Sequence, residues 1–244
     1  MSAKNTEPRE ISFLSDGLTI KGTLHLPPFD KPPIVIGLHG LYSSQESPKQ
    51  ITMARACNAL GLAYLRFDHR GCGRSQGEFE KVNSLAARCR DLKSAIETVH
   101  AWPDTSNHIG LFGSSMGGTV SLRVAADLNL DTIVTFAAPL RTRIQPMTDQ
   151  NETGPETTEI NLDADKSNFD ISFCIPRIAN ILIIHGDEDE TVPVSHAKEI
   201  YNLAANPKKL IIQHKGDHRM SHEQHQNDFI RDAASWLKSG LTGK

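Results

Sequence analysis

Short apolar runs that alternate with helix-compatible stretches constrain this chain more than any other feature. The runs are PPIVIGLHG, LAYLRFDHRG, HIGLFG, TIVTFAAP, ILIIHG and KLIIQH. Each is short and continuously apolar at its centre, as a strand buried on both faces would be. Between them lie stretches that read as helices: Pro48 to Leu60 closed by Gly61, Leu85 to Trp102 stopped by Pro103, and MGGTVSLRVAADL. Two more follow, Val194 to Ala205 and a last one around Asp228 to Leu237. Strands that alternate with helices predict a mostly parallel sheet with right-handed crossovers and helices on both faces. Ahead of this pattern, Ile11, Phe13, Leu18, Ile20, Leu24 and Leu26 alternate around Asp16-Gly17, which predicts an N-terminal antiparallel hairpin.

The chain's 244 residues suit one domain of this class, read as 1–244. The one compositional break, Arg141 to Asp170, is acidic and turn-rich, and too long for an ordinary connection. It predicts a cap insertion at about 141–178, overhanging the sheet. A formal charge of -3 argues against a nucleic-acid partner. No apolar run approaches the ~18 residues of a membrane span. The polar opening MSAKNTEPRE lacks the apolar stretch of a secretory signal, and the cysteines (Cys57, Cys72, Cys89, Cys174) form no CxxC pair. Together these predict a cytoplasmic protein with reduced thiols.

Chemistry concentrates in a few places. Gly113-Ser114-Ser115-Met116-Gly117 fits G-x-S-x-G between a predicted strand and a predicted helix. A turn that tight strains the serine's backbone, so the flanking positions must be small. The bland reading is a Gly-rich turn holding a solvated serine. Phosphate binding would call for a Lys or a G-x-G-x-x-G spacing, and this segment has neither.

At these residues the chain resembles the α/β-hydrolase superfamily, over nearly its whole length. Leu38-His39-Gly40-Leu41 looks like the family's HG turn, and Asp68-His69-Arg70-Gly71-Cys72-Gly73-Arg74-Ser75 like its D-x-R-G-x-G-x-S segment. It is similar to small microbial esterases of the cinnamoyl and feruloyl type, and to monoacylglycerol-lipase-like hydrolases. The resemblance implies the α/β-hydrolase fold and a serine esterase with a triad in the order Ser, Asp, His. Ser115 is then the nucleophile. Gly186-Asp187-Glu188-Asp189-Glu190-Thr191-Val192-Pro193 resembles G-x-x-D-x-x-V-P, which puts the acid at Asp189, with Asp187 as runner-up. His218, in a Gly-Asp-His turn past KLIIQH, matches the place of the base, with His214 in the strand and His222 and His225 opening the final helix. Those four histidines at near-helical spacing also raise a zinc reading, but HExxH is absent and Gly216 interrupts the helix such a site needs. The resemblance places the oxyanion donors at the backbone N–H groups of Leu41 and Met116. It implies hydrolysis of a carboxylic ester with no cofactor and no metal. Amide, peptide or thioester cleavage by the same triad, or a binding protein on an inactive hydrolase scaffold, are the rival readings. The acidic insertion favours a small or medium-sized soluble ester without several negative charges.

Overall fold

A computed structural model describes residues 7–128, 130–142 and 168–243. The chain opens with β1 (Arg9–Ser15) and β2 (Leu18–His25), paired antiparallel with Ser15 opposite Leu18. Asp16 and Gly17 between them have φ of 48° and 78°. That is the left-handed pair a two-residue hairpin turn requires, and Asp-Gly supplies it cheaply. The following elements are β3 (Ile34–Leu38), α1 (Pro48–Ala59), β4 (Ala63–Phe67), α2 (Phe79–Val82) and α3 (Leu85–His100). Next come β5 (Ile109–Ser114), α4 (Met116–Ala125) and β6 (Thr132–Phe136), then the two-residue strands β7 (Arg141–Thr142) and β8 (Phe169–Asp170). A 3-10 turn (Ser172–Arg177) leads to β9 (Ile181–Gly186), α5 (Ser195–Leu203), β10 (Lys208–Gln213) and α6 (Glu223–Thr242).

Eight strands form one sheet in the order β1-β2-β4-β3-β5-β6-β9-β10. All pairs from β4 to β10 are parallel, whereas β1 and β2 join antiparallel at one edge. The expected α/β fold is the one observed. The apolar runs are continuous because their residues alternate between two cores. Ile34, Ile36 and Leu38 of β3 face one with α3, α4 and α5, while Val35 faces the other with α1 and α6. Ile181 and Ile183 against Leu182 and Ile184 of β9 repeat the division.

Two boundaries and one element differ from expectation. The last helix starts earlier than Asp228, at Glu223, and runs past Leu237 to Thr242, where Leu241 extends its buried stripe by one turn. β10 stops at Gln213, which pairs with the last residue of β9, so His214 has no strand partner and lies in the turn beyond. The helix α2 was not anticipated; it is a single turn with no buried residue. Of the cap expected at 141–178, residues 143–167 lie outside the described residues. On either side of them, Arg141 and Thr142 pair antiparallel with Asp170 and Phe169. Among the described residues no helix is long and apolar enough to cross a membrane.

Candidate active site

The carboxyl ends of the parallel strands share one edge of the sheet, where ligands of such sheets bind. Ser115 lies there, alone between β5 and α4, with φ 53° and ψ −125°. A side chain in that region of backbone space carries strain of order 1–3 kcal/mol. The turn is held by Ser115 N–H donating to the Phe136 carbonyl (2.8 Å) and by Gly118 N–H donating to the Ser115 carbonyl (2.8 Å). Space dictates its glycines. A Cβ on Gly113 would sit 2.3 Å from the Gly117 carbonyl oxygen, and one on Gly117 would sit 2.3 Å from that of Leu38.

The structure brings Ser115, His218 and Asp189 into one hydrogen-bonded line. His218 Nε2 is 3.2 Å from Ser115 Oγ, and Nδ1 lies 2.8 Å from Asp189 Oδ2 and 3.0 Å from Oδ1. The Asp189 carboxylate is fully buried and His218 is 18% exposed. Oδ1 also accepts from the N–H groups of Thr191 (2.9 Å) and Val192 (2.7 Å). Burial is the largest single influence on Asp189 and opposes its ionisation. The hydrogen bonds from His185, His218 and Val192 N–H together outweigh it and hold the carboxyl well below the usual carboxylate range. An ionised carboxylate only accepts, so His218 Nδ1 carries the proton and Nε2 turns its lone pair to the serine hydroxyl.

Asp187 faces elsewhere: its carboxylate meets His214 Nδ1 at 3.0 Å and accepts from Lys215 N–H at 2.6 Å. Glu190 accepts from the His218 N–H at 3.2 Å. His222 and His225 pack edge to face with ring centroids 5.2 Å apart, and among the described residues no group of three or more His, Cys, Asp or Glu is placed to hold a metal ion. The loops bearing Asp189 and His218 pack on two glycines. A Cβ on Gly186 would come within 2.0 Å of the Gly216 carbonyl oxygen, and Glu188 N–H donates to that same oxygen at 3.0 Å.

Leu41 and Met116 follow Gly40 and Ser115 at the same strand ends, and a Cβ on Gly40 would be 3.6 Å from Ser115 Cβ. Among the described residues, neither Leu41 N–H nor Met116 N–H has a hydrogen-bond acceptor. Behind this turn lies a charged cluster that sequence reasoning missed. Arg70 and Asp91 form a buried ion pair (2.8 Å), His69 Nδ1 is 3.3 Å from Asp91, and Arg88 is wholly buried beside them. The signal was present in α3. Arg88 and Asp91 stand one turn before Leu92 and Ala95, so they continue its apolar stripe inward rather than facing solvent. The D-x-R-G-x-G-x-S segment acts as a brace: Asp68 accepts from the Gln45 and Arg74 N–H groups, at 2.8 and 3.0 Å, and ties the loop after β3 to the loop after β4.

A mostly parallel sheet that delivers a strained serine to an Asp–His pair defines an α/β hydrolase. A family model described as serine aminopeptidase, S33, matches residues 31–154, and the chain belongs to that family. The uncharacterized protein YfhR of Escherichia coli O157:H7 is 30% identical over 167 residues, 68% of this chain. The match spans 56% of that relative's length. Palmitoyl-protein thioesterase ABHD10, mitochondrial, of Mus musculus is 27% identical over 214 residues, 78% of this chain and 70% of the relative. Among solved structures, Est1E from Butyrivibrio proteoclasticus with bound ferulic acid has a TM-score of 0.78 at 19% identity, covering 96% of this chain and 100% of that one. DcsB in complex with its substrate analogue reaches 0.82 at 15% identity, over 97% and 100%. At these identities the two structures share the fold.

Proposed function

We propose that the protein is a serine esterase that cleaves a carboxylic ester through an acyl-enzyme on Ser115. The observation that carries this reading is the unbroken line from Asp189 through His218 to Ser115 Oγ, ending at the strained turn. A serine hydroxyl is a weak nucleophile until an adjacent base takes its proton. His218 Nε2 accepts that proton as Oγ attacks the ester carbonyl, then returns it to the leaving alcohol. Asp189 holds the imidazole in the tautomer required and stabilises its cation. The N–H groups of Leu41 and Met116 take the negative oxygen of the tetrahedral intermediate, and the latter opens α4, whose dipole favours negative charge there. Water then enters by the same base and releases the acid. No step calls on a cofactor.

The substrate we assign is a small or medium-sized soluble ester. Tyr42, directly after the oxyanion turn, is 62% exposed and packs on Phe79 with ring centroids 5.2 Å apart. We assign it, from its place next to Leu41, as an aromatic contact for the substrate. From Asp149 to Asp170 the chain carries seven carboxylates against Lys166 alone, a balance that disfavours polyanionic substrates. The four cysteines, free and buried, suit the reducing cytoplasm in which we place the enzyme. The thioesterase named among its relatives favours a second reading, thioester cleavage by the same groups. Labelling with a fluorophosphonate probe tests the central step: the parent takes up one probe at Ser115 and Ser115→Ala takes up none. Equal labelling of the two would end the proposal.

A further inference from the structure

Arg88 is an expensive residue to keep where it is. It is fully buried, and no carboxylate lies within ion-pair distance of it among the described residues. A cation taken out of water costs several kcal/mol unless its environment returns hydrogen bonds and charge, and an apolar side chain of like volume would avoid that cost. What the guanidinium does instead is grip the turn after β3. Nη1 donates to the Gly40 carbonyl at 3.3 Å and Nη2 to the Leu41 carbonyl at 2.9 Å, while Nε donates to Asn83 Oδ1 at 3.1 Å.

The Gly40 carbonyl and the Leu41 N–H belong to one peptide group. In a planar trans peptide they point in opposite directions, so fixing the oxygen fixes the aim of the N–H. His39 holds the same oxygen. Its Nε2 accepts from the His69 N–H (3.1 Å), which leaves the proton on Nδ1, and Nδ1 donates to the Gly40 carbonyl at 2.7 Å. Hydrogen bonds to a carbonyl strengthen the N–H at the other end of the amide, and a charge in a low-dielectric interior acts with little screening.

We propose that Arg88, with His39, is a positioning residue that aims and polarises the Gly40–Leu41 peptide, so that Leu41 N–H becomes a stronger donor to the tetrahedral oxyanion. The inference rests on the acyl-enzyme reading. Arg88 acts through the peptide and never touches the substrate.

The experiment compares the parent with Arg88→Met and Arg88→Lys, using steady-state kinetics on a soluble aryl ester at a temperature where circular dichroism shows each variant folded. Affinity is measured for an arylboronic acid, which forms a tetrahedral adduct on the serine, and for the planar carboxylate product. Removing a whole oxyanion donor costs ~10²–10³-fold in kcat. Loss of its orienting cation should cost less, ~10–100-fold, with KM within about threefold of parent. Boronate affinity should fall in step with kcat and product affinity should not. The lysine variant, which keeps the charge without the fork, should fall between. If Arg88→Met does not fold, Arg88→Lys decides by the same readouts. Parent-like kcat, or a kcat loss with unchanged boronate affinity, would reduce Arg88 to a structural staple. Ser115→Ala is run in parallel: turnover surviving there removes the acyl-enzyme reading and this inference with it. A dead Ser115→Ala beside fully active Arg88 variants removes the inference alone.

Discussion

His185 Nε2 lies 3.2 Å from Asp189 Oδ2 with both side chains fully buried, so the carboxylate that faces His218 also has a histidine against its back. His185 Nε2 lies 2.8 Å from the Val192 carbonyl as well, and both neighbours are acceptors, so this nitrogen carries the proton. The second histidine therefore restrains Asp189 without competing for the His218 proton. His185→Leu should lower kcat about tenfold with KM little changed, and His185→Gln, which keeps a donor, should recover most of it. Steady-state kinetics on a soluble aryl ester measure both. Parent-like turnover in the leucine variant would remove His185 from the site's support.

Asp189→Asn should be far more damaging than Asp187→Asn. The amide presents the wrong partner to His218 Nδ1, a change worth ~10⁴-fold in a well-studied serine protease. Asp187 bonds to His214 and Lys215 and not to His218, so its amide should leave turnover within a few-fold of parent. Ser115→Ala and His218→Ala should each abolish nearly all turnover with the far-ultraviolet spectrum unchanged, because such residues act as a unit. A reversed ranking of the two aspartates would move the acid to Asp187. A His218→Ala enzyme with a tenth of parental rate would direct attention to His222.

Acid should weaken the fold before it touches the carboxylates. Burial is the main cause that pushes His25 and His69 down to about 4, and it holds His39 well below the ordinary histidine value. Each binds its proton more weakly folded than unfolded. Between about 6.5 and about 4 the unfolded chain therefore takes up more protons, and stability falls as pH drops through that window. Well above the unfolded pKa of about 6.5 neither state is protonated and the contribution is constant. Lowering the pH from about 7 to about 5 should remove on the order of 2 kcal/mol each for His25 and His69, read from urea midpoints, and His39 adds a loss of the same sign. Asp189 and Asp91, both held below the usual range, add their losses only below about pH 4. His25→Gln, whose side chain can still accept from Arg66 Nε, should flatten the curve by one histidine's share. An unchanged slope in that variant would show that His25 titrates normally in the fold.

Neutral soluble aryl and alkyl esters should turn over faster than acyl-CoA, and emulsified triglyceride should give no jump in rate. Raising the salt should narrow the gap to acyl-CoA, since ions screen the repulsion from the acidic segment over a Debye length of ~10 Å at 0.1 M. Acyl-CoA as the preferred substrate at low salt would favour the thioester reading over the ester.

The legible part of the fold was the part written in periodicity. Strands buried on both faces need unbroken apolar runs, and Ile34–Leu38 and Ile181–Gly186 could be read almost to the residue. The spacing around Ser115 was legible because glycine is the only residue the crowded turn admits at 113 and 117. His185 and Arg88 were not, since each sits inside an apolar pattern, His185 in the run of β9 and Arg88 on the buried stripe of α3, where position alone gives no sign of a polar partner. The carbonyls that Arg88 binds lie 48 and 47 residues away. The end of β10 was equally hidden, because His214 fits a strand until one sees that β9 has already ended beside it.

The contact between Gly186 and Gly216 bears on how such an enzyme can be redesigned. With their backbones nearly touching, the acid loop and the base loop are interlocked parts rather than interchangeable ones. A graft that replaces one loop while leaving the other would wedge them apart at the first methyl group and pull the imidazole off its serine. Libraries aimed at new specificity would do better to transplant 186–193 and 213–220 as a matched cassette, and to spend their diversity at Tyr42, next to the Gly40–Leu41 turn, and at Phe79, whose ring packs on it.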